Sequence, residues 1–388
     1  ICIIGGLGHV GLPLGIVFAS KGLRVCLHDI NEESAEVLRR GDMPFVEYGA
    51  EPILKEVLSS GKLTISLEPE SISMAKYVII AIGTPVDEYL NPKTRQFLEF
   101  VQGIKKYLDP NQTIIIRSSV FPHTCRQIIN QLGDGQEWHL AYCPERIVQG
   151  YAIQELEKLP QIVAGFTEKA IKESSELFSI ITSTIIHASM DEAELVKLFS
   201  NSWRYIQFAV ANQFHMICED FNVRYDRVRE IMVEGYERAK GLPSAGFAAG
   251  PCLLKDTMQL SAFYDNSFLL GHAAMMINEG LPSFIVKGLR NKYDLNQKKV
   301  GILGMTFKPD IDDIRDSLSY KLGKILRFYG SKVFYSDEFA KDPTFISKEE
   351  MIASTDIIIV GVPHSVYTGL IIPDHVEVVD LWGVTRKG

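Results

Sequence analysis

Closely spaced cysteine pairs and long apolar runs are both missing from this sequence. Its six cysteines are scattered over 388 residues without a CxxC spacing, so we expect neither a disulfide framework nor a metal site. The longest apolar stretches have the length of a strand and fall far short of the ~20 residues of a membrane helix. The chain opens in an apolar strand, without the basic start of a signal peptide. These absences favour a protein of the reducing cytoplasm that does not enter the membrane.

An excess of basic residues is missing as well. The chain has 40 Lys and Arg against 48 Asp and Glu, a formal net charge of -8, so it has no overall attraction for nucleic acid or an anionic membrane. Apolar residues make up 46% and charged residues 23%, the usage of an ordinary globular protein. The length exceeds the roughly 250 residues that one core organises. We therefore expect two or three domains.

Short apolar runs predict strands at two places in the chain. In the first half they alternate with segments of helical spacing, and after residue 188 two long helices follow. Alternation of strands and helices favours a parallel, doubly wound sheet. The predicted strands are 1–4, 24–28, 77–82, 113–116 and 138–142, then 299–303, 332–335, 356–360 and 376–380; the long helices are 193–219 and 268–291, the second despite Pro282.

This order predicts an α/β protein of three parts. Residues 1–187 form an N-terminal Rossmann-like doubly wound parallel sheet, and residues 188–292 form a long-helix connector. Residues 293–388 form a second, smaller Rossmann-like α/β domain.

A glycine-rich turn follows the first predicted strand. Gly6, Gly8 and Gly11 form a GxGxxG, in which they permit a tight turn, approach of the backbone to a pyrophosphate, and close packing of helix on strand. Asp29 ends the second strand, near the ~20 residues downstream where a carboxylate hydrogen-bonds the ribose. Such a carboxylate repels a 2'-phosphate, which favours NAD over NADP. The alternative for Asp29 is an Asx turn or a helix cap before Asn31.

Polar residues or prolines also follow three other strands. Because the carboxyl ends of parallel strands face the ligand crevice, these residues are candidate contacts to nicotinamide and substrate, although each alone is more typical of a turn. They are Gly83-Thr84-Pro85, Arg117-Ser118-Ser119 and Cys143-Pro144-Glu145-Arg146.

Cys252 lies where a glycine-rich loop enters a helix. The amides of a helix N-terminus, and Lys255 one turn away, favour a nucleophilic thiolate; the alternative is a small buried hydrophobe. On the long connector helix, Glu194, Lys197 and Asn201 share one face. Either Glu194 and Lys197 form a solvated ion pair, or Lys197 and Asn201 donate hydrogen bonds to an oxyanion generated at Cys252.

These blocks, in this order, resemble the UDP-glucose/GDP-mannose dehydrogenase family over essentially the whole chain. The resemblance implies an NAD-dependent, four-electron oxidation of the C6 hydroxyl of a UDP-sugar to the uronate. The matching blocks are 5–11, Gly83-Thr84-Pro85, Cys143-Pro144-Glu145-Arg146, 194–201, 246–256, Gly304-Met305-Thr306-Phe307-Lys308-Pro309 and 312–317.

The resemblance also implies the catalytic residues. Cys252 would capture the C6 aldehyde as a thiohemiacetal, and a second oxidation would give a thioester that water hydrolyses, so that two NAD are consumed per sugar. Lys197 and Asn201 would stabilise the oxyanion. Glu145 would serve as acid/base or orient water, and Asp256 would position water together with Ser119.

Further residues are implied for the two ligands. Thr84, Pro85, Ser119 and Arg315 would lie near the cofactor; Lys308 would hold the phosphates of the UDP-sugar. Phe247 would pack in the substrate loop, and Arg238 would reach the sugar, in some members of the family from the other subunit. The alternatives are a surface lysine for Lys308, an ion pair of Arg315 with Asp312 or Asp316, and an ion pair of Glu145 with Arg146.

Two departures from the UDP-glucose pattern concern the sugar. Gln149 replaces an acidic residue, and Ala248-Ala249 replace glycines. The runs 144–150 and 159–163 are more similar to the branch that acts on UDP-N-acetylglucosamine or UDP-N-acetylmannosamine. That branch implies uronic acids for surface polysaccharide and a homodimer built on the long helix.

Three alternatives to this function stay open. One is a UDP-glucose or GDP-mannose 6-dehydrogenase. Another is a two-electron hydroxy-acid dehydrogenase, which would need no thiol. The third is a non-catalytic NAD-binding scaffold.

Overall fold

The chain forms two compact α/β units. A computed structural model describes residues 1–87, 91–133 and 135–387, and these divide into Ile1–Ser200 and Asn201–Gly388. The sequence prediction of an α/β fold with a large and a small sheet is confirmed. The three domain boundaries stay a prediction.

The sheet of the first unit has a doubly wound centre. Its strands are β1 (Cys2–Ile4), β2 (Val25–His28), β3 (Leu63–Ser66), β4 (Tyr77–Ile80), β5 (Thr113–Ile116), β6 (His139–Tyr142), β7 (Gln161–Gly165) and β8 (Ile185–His187). They lie in the order β3-β2-β1-β4-β5-β6-β7-β8. The first six run parallel, whereas β7 is antiparallel to β6 and parallel to β8.

The prediction missed three of these strands. β3 alternates apolar and polar residues, β7 begins with a glutamine, and β8 has only three residues. Short runs of this kind carry little strand signal on their own, since pairing with a neighbour decides whether they become strands.

Helices cover both faces of this sheet. Ile3 belongs to the apolar cluster of one face, and Cys2 and Ile4 belong to that of the other, as expected for a strand whose side chains alternate. The helices are α1 (Gly11–Ser20), α2 (Glu32–Arg39), α3 (Ala50–Ser59), α4 (Thr94–Ile104), α5 (Thr124–Leu132), α6 (Ala152–Lys158) and α7 (Glu168–Phe178).

Helix α1 packs on β1 at a distance that only glycine permits. A Cβ added at Gly11 would lie 2.3 Å from the carbonyl oxygen of Gly5, and one at Gly6 would lie 2.8 Å from Cα of Leu27. Backbone therefore contacts backbone where the strand turns into the helix. Two of the three glycines of the GxGxxG are required by this packing alone.

Helix α8 (Met190–Asp220) continues from the first unit into the second. Within the first unit its Glu194 accepts hydrogen bonds from the backbone N–H groups of His123 at 2.6 Å and Cys125 at 2.9 Å. A helix N-terminus leaves such N–H groups without a partner inside the helix. Glu194 therefore caps α5. Burial raises the pKa of its carboxyl, so the alternative of a solvated surface pair was wrong.

The second unit combines helices with a smaller parallel sheet. Its main strands lie in the order β10-β9-β11-β13, and β12 pairs with β14. None of the helices in the described part of the chain is both long and apolar enough to cross a membrane. The elements are α9 (Tyr225–Val233), α10 (Leu253–Phe263), α11 (Leu269–Lys292), β9 (Lys299–Leu303), α12 (Leu318–Phe328), β10 (Lys332–Ser336), α13 (Lys348–Ser354), β11 (Ile357–Val360), β12 (Ile371–Ile372), β13 (Glu377–Val379) and β14 (Arg386–Lys387).

Replacing Gly11 should destabilise the first unit. We expect Gly11→Ala to lower the free energy of unfolding by about 2 kcal/mol, because α1 must move away from the glycine turn to admit the methyl group. Gly288→Ala is the control, since this exposed glycine of α11 has no atom within 4 Å of an added Cβ and alanine favours a helix. Chemical denaturation of both variants measures the effect. Equal stability of the two would contradict the packing argument.

Candidate active site

The glycine turn after β1 contacts the end of β2. Oδ2 of Asp29 accepts a hydrogen bond from the backbone N–H of Leu7 at 3.1 Å, and Oδ1 accepts from the N–H groups of Ile30 at 2.8 Å and Asn31 at 3.1 Å. The Asx turn that was the alternative for Asp29 is therefore present. The same half-buried carboxylate also reaches the glycine turn, so the two interpretations do not exclude each other.

Gly8 differs from the other two glycines of the motif. It is exposed, and an added Cβ would find one atom within 4 Å, the carbonyl oxygen of Gly5 at 3.6 Å. Packing within the protein therefore does not require glycine at this position. Room beside an exposed backbone at the start of a helix fits the close approach of a pyrophosphate.

Two further predicted cofactor residues meet at the ends of neighbouring strands. Thr84 follows β4 and Ser119 follows β5, and the Thr84 hydroxyl donates to the Ser119 carbonyl at 2.5 Å. Both are half-buried and Pro85 is exposed. Because β1, β4 and β5 are adjacent and parallel, these residues share an edge of the sheet with the glycine turn. The winding direction reverses beside β1, the position where open α/β sheets bind ligands.

Glu145 follows β6 and is 7% exposed. Its carboxylate forms a close ion pair with the guanidinium of Arg117, and Oε1 accepts hydrogen bonds at 2.6 Å from the N–H groups of Arg146 and Ile147. The side chain of Arg146 donates instead to the carbonyl of Pro160. The alternative of a Glu145–Arg146 side-chain ion pair was therefore wrong.

Arg117, one of the candidate ligand contacts at the strand ends, is instead buried and pairs with Glu145, a role that the sequence did not indicate. Its side chain is buried, and Nη1 donates to the Cys143 carbonyl at 3.1 Å and the Gln161 side chain at 2.9 Å. Its guanidinium lies 5.0 Å from the centre of the Phe178 ring. Arginine is rarely buried without a specific partner, but a strand sequence does not tell which arginine is buried.

Cys252 is the exposed cysteine of the six and begins helix α10 as its N-cap. None of the six forms a disulfide. Burial raises the thiol pKa of several others, that of Cys143 to about 12, so those sulfurs are poor nucleophiles. The cysteines with a pKa raised by burial are Cys125, Cys143 and Cys218; Cys2 and Cys26 are neighbours in β1 and β2.

Arg315 places a positive charge near Cys252 within the second unit. Its guanidinium donates to both carboxylate oxygens of Asp313 at 2.5 to 3.0 Å. These bonds raise the pKa of Arg315, burial partly offsets them, and the negative charges of Asp313, Cys252 and Asp316 raise the pKa further. The carboxylate that binds Arg315 is thus Asp313, whereas the alternative named Asp312 or Asp316. A fixed cation favours the thiolate form of a nearby cysteine.

A buried carboxylate lies one helical turn after Cys252. Asp256 accepts a hydrogen bond from the amide of Asn201 at 2.6 Å, and the ammonium of Lys255 lies 2.8 Å from its other oxygen. The Asp256 N–H donates to the Cys252 carbonyl at 2.9 Å. The start of α10 is therefore tied to helix α8.

The remaining predicted residues have varied surroundings. Lys197 is buried on α8 in the first unit, and Phe247 belongs to the apolar core cluster of the second. Arg238 is exposed in the 3-10 turn Glu237–Ala239. Lys308 is half-buried in the turn after β9.

The turn that carries Lys308 contacts the loop of Cys252. Gly250 has a φ of +98°, and an added Cβ would lie 2.5 Å from the ring of Phe307. The Gly250 N–H donates to the Asp316 carbonyl at 3.3 Å. A ligand held at the turn after β9 would therefore lie beside the loop that presents the sulfur.

In the second sheet an aspartate occupies the position equivalent to Asp29, but its side chain is not accessible to a ligand. Asp337 follows β10 as Asp29 follows β2, yet its side chain is fully buried. Burial raises the pKa of Asp337, but the hydrogen bond and charge of His364 and backbone N–H groups hold it below the ordinary value. With both oxygens engaged, Asp337 has no position for a ribose. Its donors are the N–H groups of Met305, Thr306, Phe339 and Ala340 and Nε2 of His364.

Each unit thus supports one kind of chemistry. The glycine turn and strand ends of the first unit fit a dinucleotide. In the second unit, an exposed sulfur at a helix N-terminus, with a cation and a buried amide–carboxylate pair near it, suits covalent capture of a carbonyl carbon.

Comparison with known proteins gives matches along most of the chain. The family models of the UDP-glucose/GDP-mannose dehydrogenases match in order: the NAD binding domain at residues 1–182, the central domain at 191–279 and the UDP binding domain at 301–387. A UDP-N-acetyl-D-mannosamine dehydrogenase of Methanocaldococcus jannaschii is 28% identical over 373 residues, which cover 95% of this chain and 86% of that one. One of Campylobacter jejuni is 28% identical over 82% of this chain and 81% of its own length.

Solved structures agree with these matches. The UDP-D-ManNAc dehydrogenase of Pyrococcus horikoshii superposes with a TM-score of 0.87 at 26% identity and covers 100% of this chain and 99% of its own. The UDP-N-acetyl-mannosamine dehydrogenase of Staphylococcus aureus superposes with a TM-score of 0.86 at 26% identity, over 100% of this chain and 96% of its own. The chain therefore belongs to the UDP-glucose/GDP-mannose dehydrogenase family and is an NAD-dependent oxidoreductase.

Proposed function

We propose that the protein oxidises the C6 hydroxyl of a UDP-N-acetylhexosamine to the uronate, with UDP-N-acetylmannosamine as the favoured substrate. The observation that carries the proposal is Cys252, an exposed thiol at the start of α10 with Arg315 near it. The names of the relatives support the sugar. Gln149, where UDP-glucose enzymes of the family often have an acidic residue, supports it as well.

The covalent chemistry belongs to Cys252. The glycine turn would hold NAD, which would supply the acceptor for the two electrons lost in each oxidation. The sulfur adds to the aldehyde carbon and gives a thiohemiacetal, which becomes a thioester in the second oxidation. Water then displaces the sulfur and releases the acid. The alcohol loses four electrons in all, so two NAD are reduced per sugar.

Polar groups on α8 and α10 serve this sequence. The amide of Asn201 donates to the oxyanion of the thiohemiacetal, and its hydrogen bond to Asp256 orients the amide. Lys197 precedes Asn201 by one turn on the same face of α8 and adds positive charge. Asp256, held by Asn201 and Lys255, orients the hydrolytic water.

Glu145 acts as the acid/base group of the first unit. Arg117 and two backbone N–H groups fix its carboxylate, and a carboxylate held in one orientation transfers a proton along a defined direction. Thr84 and Pro85 line the cofactor at the neighbouring strand end.

The substrate residues lie in the second unit. Lys308 neutralises the diphosphate in the turn after β9, and Arg238 binds the sugar. Phe247 is buried, so it supports the substrate loop from within the core. Within the same unit, the positive charge of Arg315 stabilises the thiolate of Cys252.

We further propose that two copies pair through α8. Within the second unit this helix carries an exposed apolar stripe, and at 100° per residue its four side chains fall within roughly 60° of arc. A stripe of this size on a helix is typical of a buried interface. The stripe consists of Trp203, Val210, Phe214 and Ile217.

The proposed setting is the cytoplasm, where the uronate would enter the synthesis of surface polysaccharide. A catalytic thiol must stay reduced. All six cysteines are free thiols, and a reducing compartment keeps thiols in this form.

The first test counts NADH per sugar. We expect two NADH from UDP-N-acetylmannosamine, and fewer turnovers with UDP-N-acetylglucosamine, UDP-glucose and GDP-mannose. Cys252→Ser should lower acid formation at least about 1,000-fold, because the route through the thioester is lost, while NAD affinity stays unchanged. Cys218→Ser, a change at a buried cysteine of α8, is the control and should keep its activity. One NADH per sugar with full activity of Cys252→Ser would favour a two-electron dehydrogenase, and NAD binding without turnover of any of these sugars would favour a scaffold.

The second test concerns Gly8. We expect Gly8→Ala to raise the Kd for NAD about tenfold or more, a loss of about 1.4 kcal/mol for each factor of ten, because the methyl group blocks the approach of the pyrophosphate. The melting temperature should not change, since an added Cβ meets only Gly5. Calorimetric titration with NAD measures the affinity, and Gly103→Ala on α4 is the control. Unchanged affinity in Gly8→Ala would place the cofactor elsewhere.

The third test concerns the dimer. Phe214→Glu should convert a dimer into a monomer, because two charges would be buried at the centre of the interface. Light scattering after size-exclusion chromatography measures the mass. Phe328→Glu removes an exposed aromatic residue of α12 and should leave the dimer intact. A monomeric wild-type protein, or a dimeric Phe214→Glu variant, would contradict the interface.

A further inference from the structure

Two fully buried asparagines lie beneath the loop that leads to Cys252. Asn212 on α8 and Asn278 on α11 are both 0% exposed. The Asn212 amide donates to the Asn278 side-chain oxygen at 2.9 Å, and the Asn278 amide donates to the Tyr205 carbonyl at 3.0 Å. The pair therefore connects two helices through a chain of hydrogen bonds inside the core.

Asn212 also binds both backbone groups of Gly246. Its side-chain oxygen accepts from the Gly246 N–H at 2.8 Å, and its amide donates to the Gly246 carbonyl at 3.0 Å. The side-chain amide thus makes the two hydrogen bonds that the backbone of a neighbouring β-strand would make to this residue. Gly246 is thus fixed in both position and orientation.

Trp382 contacts Gly246 directly. A Cβ added at Gly246 would lie 2.0 Å from the Trp382 ring. The φ of this glycine is +151°, a value that residues other than glycine rarely adopt. Gly246 is therefore held in two ways. The side chain of Asn212 hydrogen-bonds its backbone, and the indole ring of Trp382 packs against it. This arrangement fixes the first residue of the segment 246–252.

Helix α8 holds the chain on both sides of Cys252. Asn212 binds Gly246, six residues before the cysteine, and Asn201 binds Asp256, four residues after it. The two asparagines are eleven residues apart, which is about 16 Å along a helix and close to three full turns, so they share a face. A rigid helix thereby sets the separation of the two ends of the segment that carries the sulfur.

We propose that Asn212 is a positioning residue for Cys252. By fixing Gly246 through both of its backbone groups, it determines where the loop 246–252 presents the thiol. The proposal deepens the proposed function, because it assumes that the thiol is the nucleophile. A displacement of about 1 Å at a reacting atom costs on the order of 100-fold in rate, so loss of this anchor should affect chemistry more than binding.

Two matched variants separate positioning from general stability. Asn212→Ser removes both bonds to Gly246, whereas Asn278→Ser removes bonds of the same buried network and leaves both Gly246 bonds in place. Each variant of the full chain is compared with wild type in melting temperature, kcat and KM for NAD and UDP-N-acetylmannosamine. Hydrogen exchange of the peptide 246–252 and the rate of Cys252 alkylation by iodoacetamide are followed by mass spectrometry.

For Asn212→Ser we expect kcat to fall about 100-fold, with KM for NAD within about twofold of wild type. Exchange in 246–252 should rise at least about tenfold, and the alkylation rate should change. Asn278→Ser should lower the melting temperature similarly but keep kcat within about threefold. If both variants lose kcat in proportion to their loss of stability, or if exchange in 246–252 is unchanged in Asn212→Ser, the proposal is overturned.

A further variant keeps the proposal testable if Asn212→Ser does not fold. Gly246→Ala leaves the pair of Asn212 and Asn278 intact, but its methyl group forces residue 246 away from the Trp382 ring. The variant should therefore reproduce the loss of kcat and the faster hydrogen exchange of 246–252. Wild-type kcat and protection in Gly246→Ala would overturn the proposal. An active Cys252→Ser variant would show separately that the proposed function is wrong. Hydrogen exchange of 246–252 and alkylation of Cys252 report on the Asn212–Gly246 bonds even without enzyme turnover.

Discussion

A parallel sheet covered by helices on both faces has room for polar side chains only where its strands end. The interior of the first sheet is apolar on both sides, because a strand buried on both faces has no exposed side. The strands run in the same direction from β3 to β6, so their carboxyl ends meet at one edge. Asp29, Thr84, Ser119 and Glu145 follow four of these strands. This single constraint gathers residues that are more than a hundred positions apart in the chain.

Burial of polar groups is the second condition for the site. A buried amide or carboxylate is costly unless hydrogen bonds replace its contacts with water. In the second unit this requirement is met by pairing Asn201 with Asp256 and Asn212 with Asn278. Because each pair joins two different elements, satisfying the hydrogen bonds also fixes the elements relative to each other. The polar core thereby gives the loop of Cys252 a defined position on a rigid helix.

Many helices and strands were predictable, because the repeat of apolar residues that marks each of them lies within a short stretch of sequence. Helix α8 was expected over 193–219 and covers Met190–Asp220, and β5 was predicted without error as Thr113–Ile116. Apolar residues repeat along each element with the period of that element. The strands β7 and β8 were missed, since their assignment depends on pairing with the edge of an existing sheet. Edge pairing involves residues distant in sequence and leaves no local pattern.

The sequence by itself determined the glycine turn, the cysteine at a helix start and the order of motifs that indicates the family, because each depends on neighbouring residues. Only the tertiary structure decided which groups pair. The carboxylate of Glu145 forms its ion pair with the guanidinium of Arg117 instead of with that of the adjacent Arg146, and His364 binds the buried Asp337. Such choices depend on which side chains are buried together after distant elements pack, and burial sets the free energy of each pair.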